Sequence, residues 1–337
     1  MDRRKKIILA GIPLLLATVL LLCWPEDEAR AMKYYHNRGF IFGTYYSIKY
    51  EASQDMEKEI LSALGEVDST FSMFNANSII SAINGNQDVT TTPLFEEVFA
   101  TALDVSESSF GAFDITIAPL VNYWGFGFEN SDTDSHTSAE VDSILQFVGY
   151  RNVDILNHTV YKADPRTQMD LSAIAKGLGC DQAAAVLQSH GCINYMVDIG
   201  GEIVVQGVNK KGKPWSVGIV KPLDDPDAYE QELMDTIFSS SLCMATSGNY
   251  RRFYYEGTEK RSHTIDPRTG YPVQHNLLSA TIVASSCMQA DALATACMVL
   301  GPKDALELIA RMPNTACYLI VGEKDGMKIV TSPNWNY

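Results

Sequence analysis

The spacing of apolar and polar positions changes repeatedly along the chain, and each change predicts an element. "FIFGTYYSIKYEA" (40–52) alternates as a β-strand does. "DMEKEILSALGEVDSTFSMF" (55–74) instead places apolar residues at helical spacing from Ile60 through Phe71. "PLFEEVFATALDVSESS" (93–109) and "AIAKGLGCDQAAAVLQSHG" (173–191) read as further helices. "NYMVDIGGEIVVQG" (194–207) reads as a strand with a glycine bend, and "WSVGIVKP" (215–222) and "SATIVAS" (279–285) as strands. "ACYLIVGEKDGMKIVTS" (316–332) has the pattern of a hairpin turning near Asp325 and Gly326. "NSDTDSHTSAE", Asn130 to Glu140, is polar throughout and predicts a surface loop. Strands and helices intermingle without regular βαβ alternation. That favours an α+β domain with mixed sheets and surrounding helices over a doubly wound parallel sheet.

The first segment, residues 1–31, is different. Arg3, Arg4, Lys5 and Lys6 precede an apolar run from Ile7 to Trp24, and Glu26, Asp27 and Glu28 follow it. A basic head, an apolar run and acidic residues beyond it form an export signal or membrane anchor, with the N-terminus inside and the body outside. "ARA" at 29–31 resembles a signal-peptidase site, and Leu22 stands where a lipoprotein site at Cys23 prefers a small residue. The expectation is a tethered body, residues 32–337, on the periplasmic side of a bacterial inner membrane. Its 46% hydrophobic content suffices for a packed core. A net charge of -15 argues against a nucleic-acid surface, and an anionic substrate then needs a metal ion or locally placed cations. The seven cysteines show neither CxxC nor zinc-ligand spacing, although Cys180 with Cys192 is a possible disulfide.

Three motifs fail on inspection. "GVNKKGK" has P-loop glycine and lysine spacing, but Pro214 stands in place of the Ser or Thr, so it reads as a turn. "DIGGEIVVQG" is not GxGxxG and leads into a strand, which removes a Rossmann turn. Six histidines include no HExxH pair.

Other stretches place polar groups where core is expected. In "QADALATACMVLG" (289–301) Asp291 and Thr295 share one helical face, and Asp291 reads either as an N-terminal cap or as a buried carboxylate facing a metal, a cation or several donors. A buried unpaired carboxylate costs several kcal/mol, on the order expected from transfer data, so Asp291 needs a partner. "GAFDITIAPLVNYWGFG" (111–127) sets Asp114 and Thr116 among apolar residues before an aromatic-glycine cluster. "MDLSAIAKGLGCD" (169–181) places Asp170 ahead of a helix carrying Lys176, as cap and solvated lysine or as functional groups. "ATSGNYRRFY" (245–254) offers Thr246, Ser247 and Gly248 as a polar turn. "SHTIDPRTGYPV" (262–273) sets His263 beside a tight turn that explains its proline and glycines but not the histidine.

The order "FGTYYSI", "FSMFNANSIISAIN", "GAFDITIAPLVNYWGFG", "DLSAIAKGLGCD", "DIGGEI", "ATSGNYRR", "HTIDPRTGYPV" and "ADALATACMVLG" resembles the ApbE family, the FAD:protein FMN transferases, from about Gly43 to Gly301. The resemblance implies an enzyme that cleaves the pyrophosphate of FAD with Mg²⁺ and joins FMN to a threonine or serine of an acceptor flavoprotein, such as an exported redox-pump subunit, releasing AMP. It implies Asp291, Thr295 and the carbonyl of Ala173 as metal ligands. It further implies flavin contacts from Phe42, Phe74, Ala112, Phe113, Asp114, Asp170, Lys176, His263 and Ile265. Lys176 would neutralise charge, His263 would be the base, and Asp170 is the alternative base. Phe42 and Phe74 depart from the methionine and the tyrosine or tryptophan common in the family, keeping an apolar face without a polar tip. A metal-dependent FAD pyrophosphatase and a non-catalytic flavin-binding protein are the competing readings.

Overall fold

The computed structural model describes residues 31–127, 136–223, 232–249, 253–256 and 259–337. The expected export segment, residues 1–31, therefore lies outside the described residues apart from Ala31. Among the described residues no helix is long and apolar enough to cross a membrane.

The chain opens with β1 (Lys33–Ile41) and β2 (Thr44–Ala52), then α1 (Glu57–Phe71), α2 (Ile79–Asn84), α3 (Pro93–Ser108), α4 (Ala118–Tyr123) and α5 (Ser138–Leu145). A small ribbon, β3 (Val153–Leu156) and β4 (Thr159–Lys162), leads to α6 (Ser172–Ser189). Next come β5 (Tyr195–Ile199), β6 (Glu202–Gln206), β7 (Trp215–Val220), β8 (Leu233–Ser239) and β9 (Ser241–Gly248). β10 (Phe253–Glu256), β11 (Glu259–Ser262), β12 (Ile265–Asp266) and β13 (Tyr271–Pro272) form short hairpins. The chain ends with β14 (Leu277–Val283), α7 (Cys287–Arg311), β15 (Ala316–Glu323) and β16 (Gly326–Thr331).

Eight strands form the main sheet in the order β1-β2-β5-β6-β9-β14-β15-β16, and each of its ladders is antiparallel. The α+β class holds, and the alternation along β2 shows how. Tyr46, Ile48, Tyr50 and Ala52 are buried on the side of α1 and α6, where they pack with Ile60, Leu64, Ala183 and Leu187. Further along the sheet the same side carries the largest core, in which Leu293, Ala294 and Ala296 of α7 meet Ile282 and Leu319. On the other side the β7–β8 ribbon covers Met196, Ile203 and Val205 with Trp215, Val217 and Ile237. Each fully buried aliphatic side chain contributes about 1.5–3 kcal/mol of transfer free energy, so the sheet is held from both sides.

Several elements differ from the sequence expectation. The stretch 40–52 is not one strand but a hairpin turning at Phe42 and Gly43, both at positive φ (51° and 72°). Paired positive φ values give the tight turn that matches strand twist, usually built from Asn or Gly. The glycine bend at 200–201 separates two paired strands, β5 and β6. Thr246, Ser247 and Gly248 are not a turn: they close β9, where the Thr246 and Thr281 hydroxyls meet across the ladder at 2.9 Å. The polar stretch 130–140 ends in a helix start, because Thr137 and Glu140 form a reciprocal capping box for α5. Cys180 and Cys192 are free thiols, with no disulfide between them.

Candidate active site

The site forms where α6 crosses the start of α7. At Gly177 the helices approach so closely that a Cβ there would stand 2.3 Å from the carbonyl oxygen of Cys287. That contact brings the neighbouring Lys176 against Asp291 of α7. The Lys176 Nζ lies 3.6 Å from Asp291 Oδ1 and 2.5 Å from Oε1 of Glu202, the first residue of β6.

The cap reading of Asp291 is excluded by the geometry. Ser286 Oγ accepts from the Gln289 amide at 3.2 Å, and Asp181 of α6 accepts from the amides of Cys287 and Met288 at 2.9 and 2.8 Å. These two side chains satisfy three of the first amides of α7, and Asp291 stands in the next turn with 2% of its surface exposed. Its Oδ2 accepts from the Gly177 amide at 3.0 Å. In a regular helix that amide pairs with the carbonyl of Ala173, one turn earlier on α6. Thr295, one turn beyond Asp291, sits with its Oγ1 3.4 Å from Ser247 Oγ at the end of β9.

One ammonium between two buried carboxylates leaves one negative charge uncompensated. Burial accordingly pushes the carboxyls of Glu202 and Asp291 above their ordinary range, against the opposing pull of Lys176. Burial alone would lower Lys176, but facing Asp291 and Glu202 outweighs it and holds the ammonium above its ordinary value. The second Glu202 oxygen, Oε2, is buried without a hydrogen-bond partner. A buried carboxyl on Asp291, with the Thr295 hydroxyl one turn further along α7, offers the oxygen donors that suit a hard divalent cation such as Mg²⁺. Among the described residues no three His, Cys, Asp or Glu side chains gather as a metal cluster.

The other candidate residues surround this crossing. Asp170 precedes α6 and accepts from the Ser172 amide at 2.8 Å, while its own amide donates to Ile115 at 2.7 Å. Burial raises its carboxyl above the ordinary range. Asp114 is fully engaged: it accepts from Thr116 N and Oγ1 at 2.8 and 2.6 Å and from Tyr150 N at 2.7 Å. Its carboxylate thus fixes the 111–117 loop beside Asp170. Ala112 and Phe113 are buried in that loop, with the Phe113 ring in the main core. The Phe42 ring lies over Gly179, one helical turn from Lys176. Phe74 is 80% exposed, in a loop tied to the Asp170 segment by Asn84, which bonds Met169 N at 2.7 Å and Met169 O at 2.8 Å.

The aromatic cluster of 123–126 explains how His263 is held. Trp124 Nε1 donates to the Gly270 carbonyl at 2.8 Å, and Ile265 packs with Trp124, Leu120 and Val141. The Phe126 ring approaches the His263 ring edge-on at 6.3 Å. Thr264 then bonds Asn249 at 2.5 Å, which ties the histidine segment to the end of β9, where Ser247 faces Thr295. Tyr250, Arg251 and Arg252 of "ATSGNYRR" lie outside the described residues. Glu202 is the site residue that sequence reasoning missed. Its signal was a glutamate directly after two glycines and before an apolar strand.

The family model of the ApbE family matches residues 42–319. The chain belongs to the ApbE family. An FAD:protein FMN transferase of Haemophilus influenzae is 36% identical over 96% of this chain and 95% of its own length, and one of Vibrio cholerae is 35% identical over 95% and 96%. The solved flavin transferase ApbE from Vibrio cholerae superposes with a TM-score of 0.80 at 34% identity, covering 90% of this chain and 98% of that one. ApbE membership thus spans every element that builds the α6–α7 crossing.

Proposed function

We propose that this protein transfers the FMN half of FAD to a threonine or serine hydroxyl of an acceptor flavoprotein and releases AMP. The observation that carries the proposal is Asp291. In a chain of the ApbE family, it is buried one turn from Thr295, beside Lys176 and the Ala173 carbonyl, and not used as a cap.

Asp291, Thr295 and the Ala173 carbonyl would hold Mg²⁺, which when bound neutralises charge on the pyrophosphate oxygens. Lys176 of α6, which faces Asp291, would set a positive charge beside the oxygen that bridges the two phosphorus atoms. Phe42 and the exposed Phe74 offer apolar faces for the flavin ring, and the Asp114-bound loop and Ile265 shape the cleft. The acceptor oxygen attacks the FMN phosphorus, a new P–O ester bond forms, and the bond to the AMP phosphate breaks. His263 takes the hydroxyl proton, since imidazole changes charge near neutral pH, and Asp170 is the alternative base. Incubation with FAD, MgCl₂ and an acceptor domain, followed by mass spectrometry, tests this. One FMN added to the acceptor with equimolar AMP supports it, whereas FMN and AMP without acceptor modification mark a pyrophosphatase.

Two further expectations arise from this reading. Thr295→Val keeps the shape and removes a neutral ligand, so the Mg²⁺ concentration for half-maximal transfer should rise by about tenfold, as for other supporting metal contacts. An unchanged Mg²⁺ titration would remove Thr295 from the shell. The basic-apolar-acidic order of residues 1–31 should carry the body to the periplasmic face of the inner membrane. A reporter fused after Tyr337 should be active only outside the cytoplasm, and cytoplasmic activity would refute the placement.

A further inference from the structure

We propose that Glu202 is a positioning residue that draws the Lys176 ammonium away from Asp291 and so keeps that carboxylate open to a divalent cation. The inference rests on the metal reading of Asp291 given above. Lys176 lies 2.5 Å from Glu202 but 3.6 Å from Asp291, so the ammonium is shared unequally between the two carboxylates. Only the more distant one belongs to the candidate ligand set.

Glu202 has no evident role in holding β6. It is 2% exposed, follows the Gly200–Gly201 turn and precedes the buried Ile203, Val204 and Val205. Placing a carboxylate there is costly unless a cation offsets it, and the cation it faces is Lys176. Its Oε2 has no hydrogen-bond partner, while Oε1 faces Lys176. The arrangement makes sense as competition. Without Glu202, Lys176 and Asp291 form a neutral buried pair, and a metal ion must first displace an ammonium. With Glu202 present, the ammonium has a closer alternative. It stays in the site for the pyrophosphate without occupying the metal oxygens.

The test measures cation binding rather than turnover. Mn²⁺, which shares the oxygen-ligand preference of Mg²⁺, is titrated into the full-length protein in mild detergent and free Mn²⁺ is read by electron paramagnetic resonance. Wild type should bind, and Asp291→Asn should lose the site. Glu202→Gln, which keeps the side-chain shape, should raise the Kd about tenfold or more with the melting temperature unchanged or higher. In a Lys176→Met background the same Glu202→Gln change should make no difference, because no ammonium remains to be drawn away. Wild-type affinity in Glu202→Gln, or an equal loss in both backgrounds, would overturn the proposal while leaving the metal site intact. Equal binding by wild type and Asp291→Asn would instead overturn the metal reading and this proposal with it.

Discussion

Asp291→Asn should reduce FMN transfer at least about a hundredfold, because changes to groups that merely hydrogen-bond a metal's ligands already cost about 10–100-fold and this one would remove a ligand. The melting temperature should stay level or rise. Asparagine retains an oxygen that accepts from the Gly177 amide, and Lys176 retains its closer partner Glu202. The substitution also removes one of two carboxylates that burial disfavours, which relieves repulsion in the folded state. Loss of function with unchanged or increased stability is the signature of a residue kept for chemistry. A capping or packing role predicts the reverse, with stability lost and activity following it. Transfer at wild-type rate with normal Mg²⁺ dependence would defeat the assignment.

The same residue shows what was legible from sequence alone. The four-residue spacing of Asp291 and Thr295 placed both on one face of a helix, and the structure agrees. The choice between cap and ligand was not legible, because the groups that cap α7 include Asp181, more than a hundred residues earlier on α6. Helices α1 and α3 were readable because their apolar period records the face they bury. The hairpin at Phe42 and Gly43 was not, since a phenylalanine at φ 51° carries no turn signal. Its conformation depends on contact with α6, where the ring covers Gly179. Thr246 and Ser247 looked like turn residues because their hydroxyls are polar, but in β9 those hydroxyls face Thr281 and Thr295. Glu202 escaped notice because its partner, Lys176, lies across the fold. Local pattern exposes faces, while long-range pairing decides which polar groups cap a helix and which become a site.

Among the glycines in the described helices, Gly177→Ala should be the most damaging change to alanine. A Cβ at that position meets Cys287 O at 2.3 Å, Cys287 C at 2.6 Å and Met288 N at 2.8 Å. All three are backbone atoms at the start of α7, and Asp181 pins the amides of Cys287 and Met288. No flexible side chain is there to yield, so the two helices must move apart. Alanine gains about 1 kcal/mol of helix propensity over glycine. Overpacking costs about 1–3 kcal/mol and more where the backbone must shift, so the clash should win. At about 2–4 °C per kcal/mol for a domain of this size, the melting temperature should fall by roughly 5 °C. Transfer should fall further than stability does, because the same shift separates Lys176 from Asp291 and a 1 Å misplacement costs about a hundredfold. Gly65→Ala is the control: it lies mid-helix in α1 with nothing within 4 Å of an added Cβ, so alanine there should stabilise by about 0.5–1 kcal/mol. If Gly177→Ala behaved like Gly65→Ala in calorimetry and in FMN transfer, the close α6–α7 crossing would not be what positions the site.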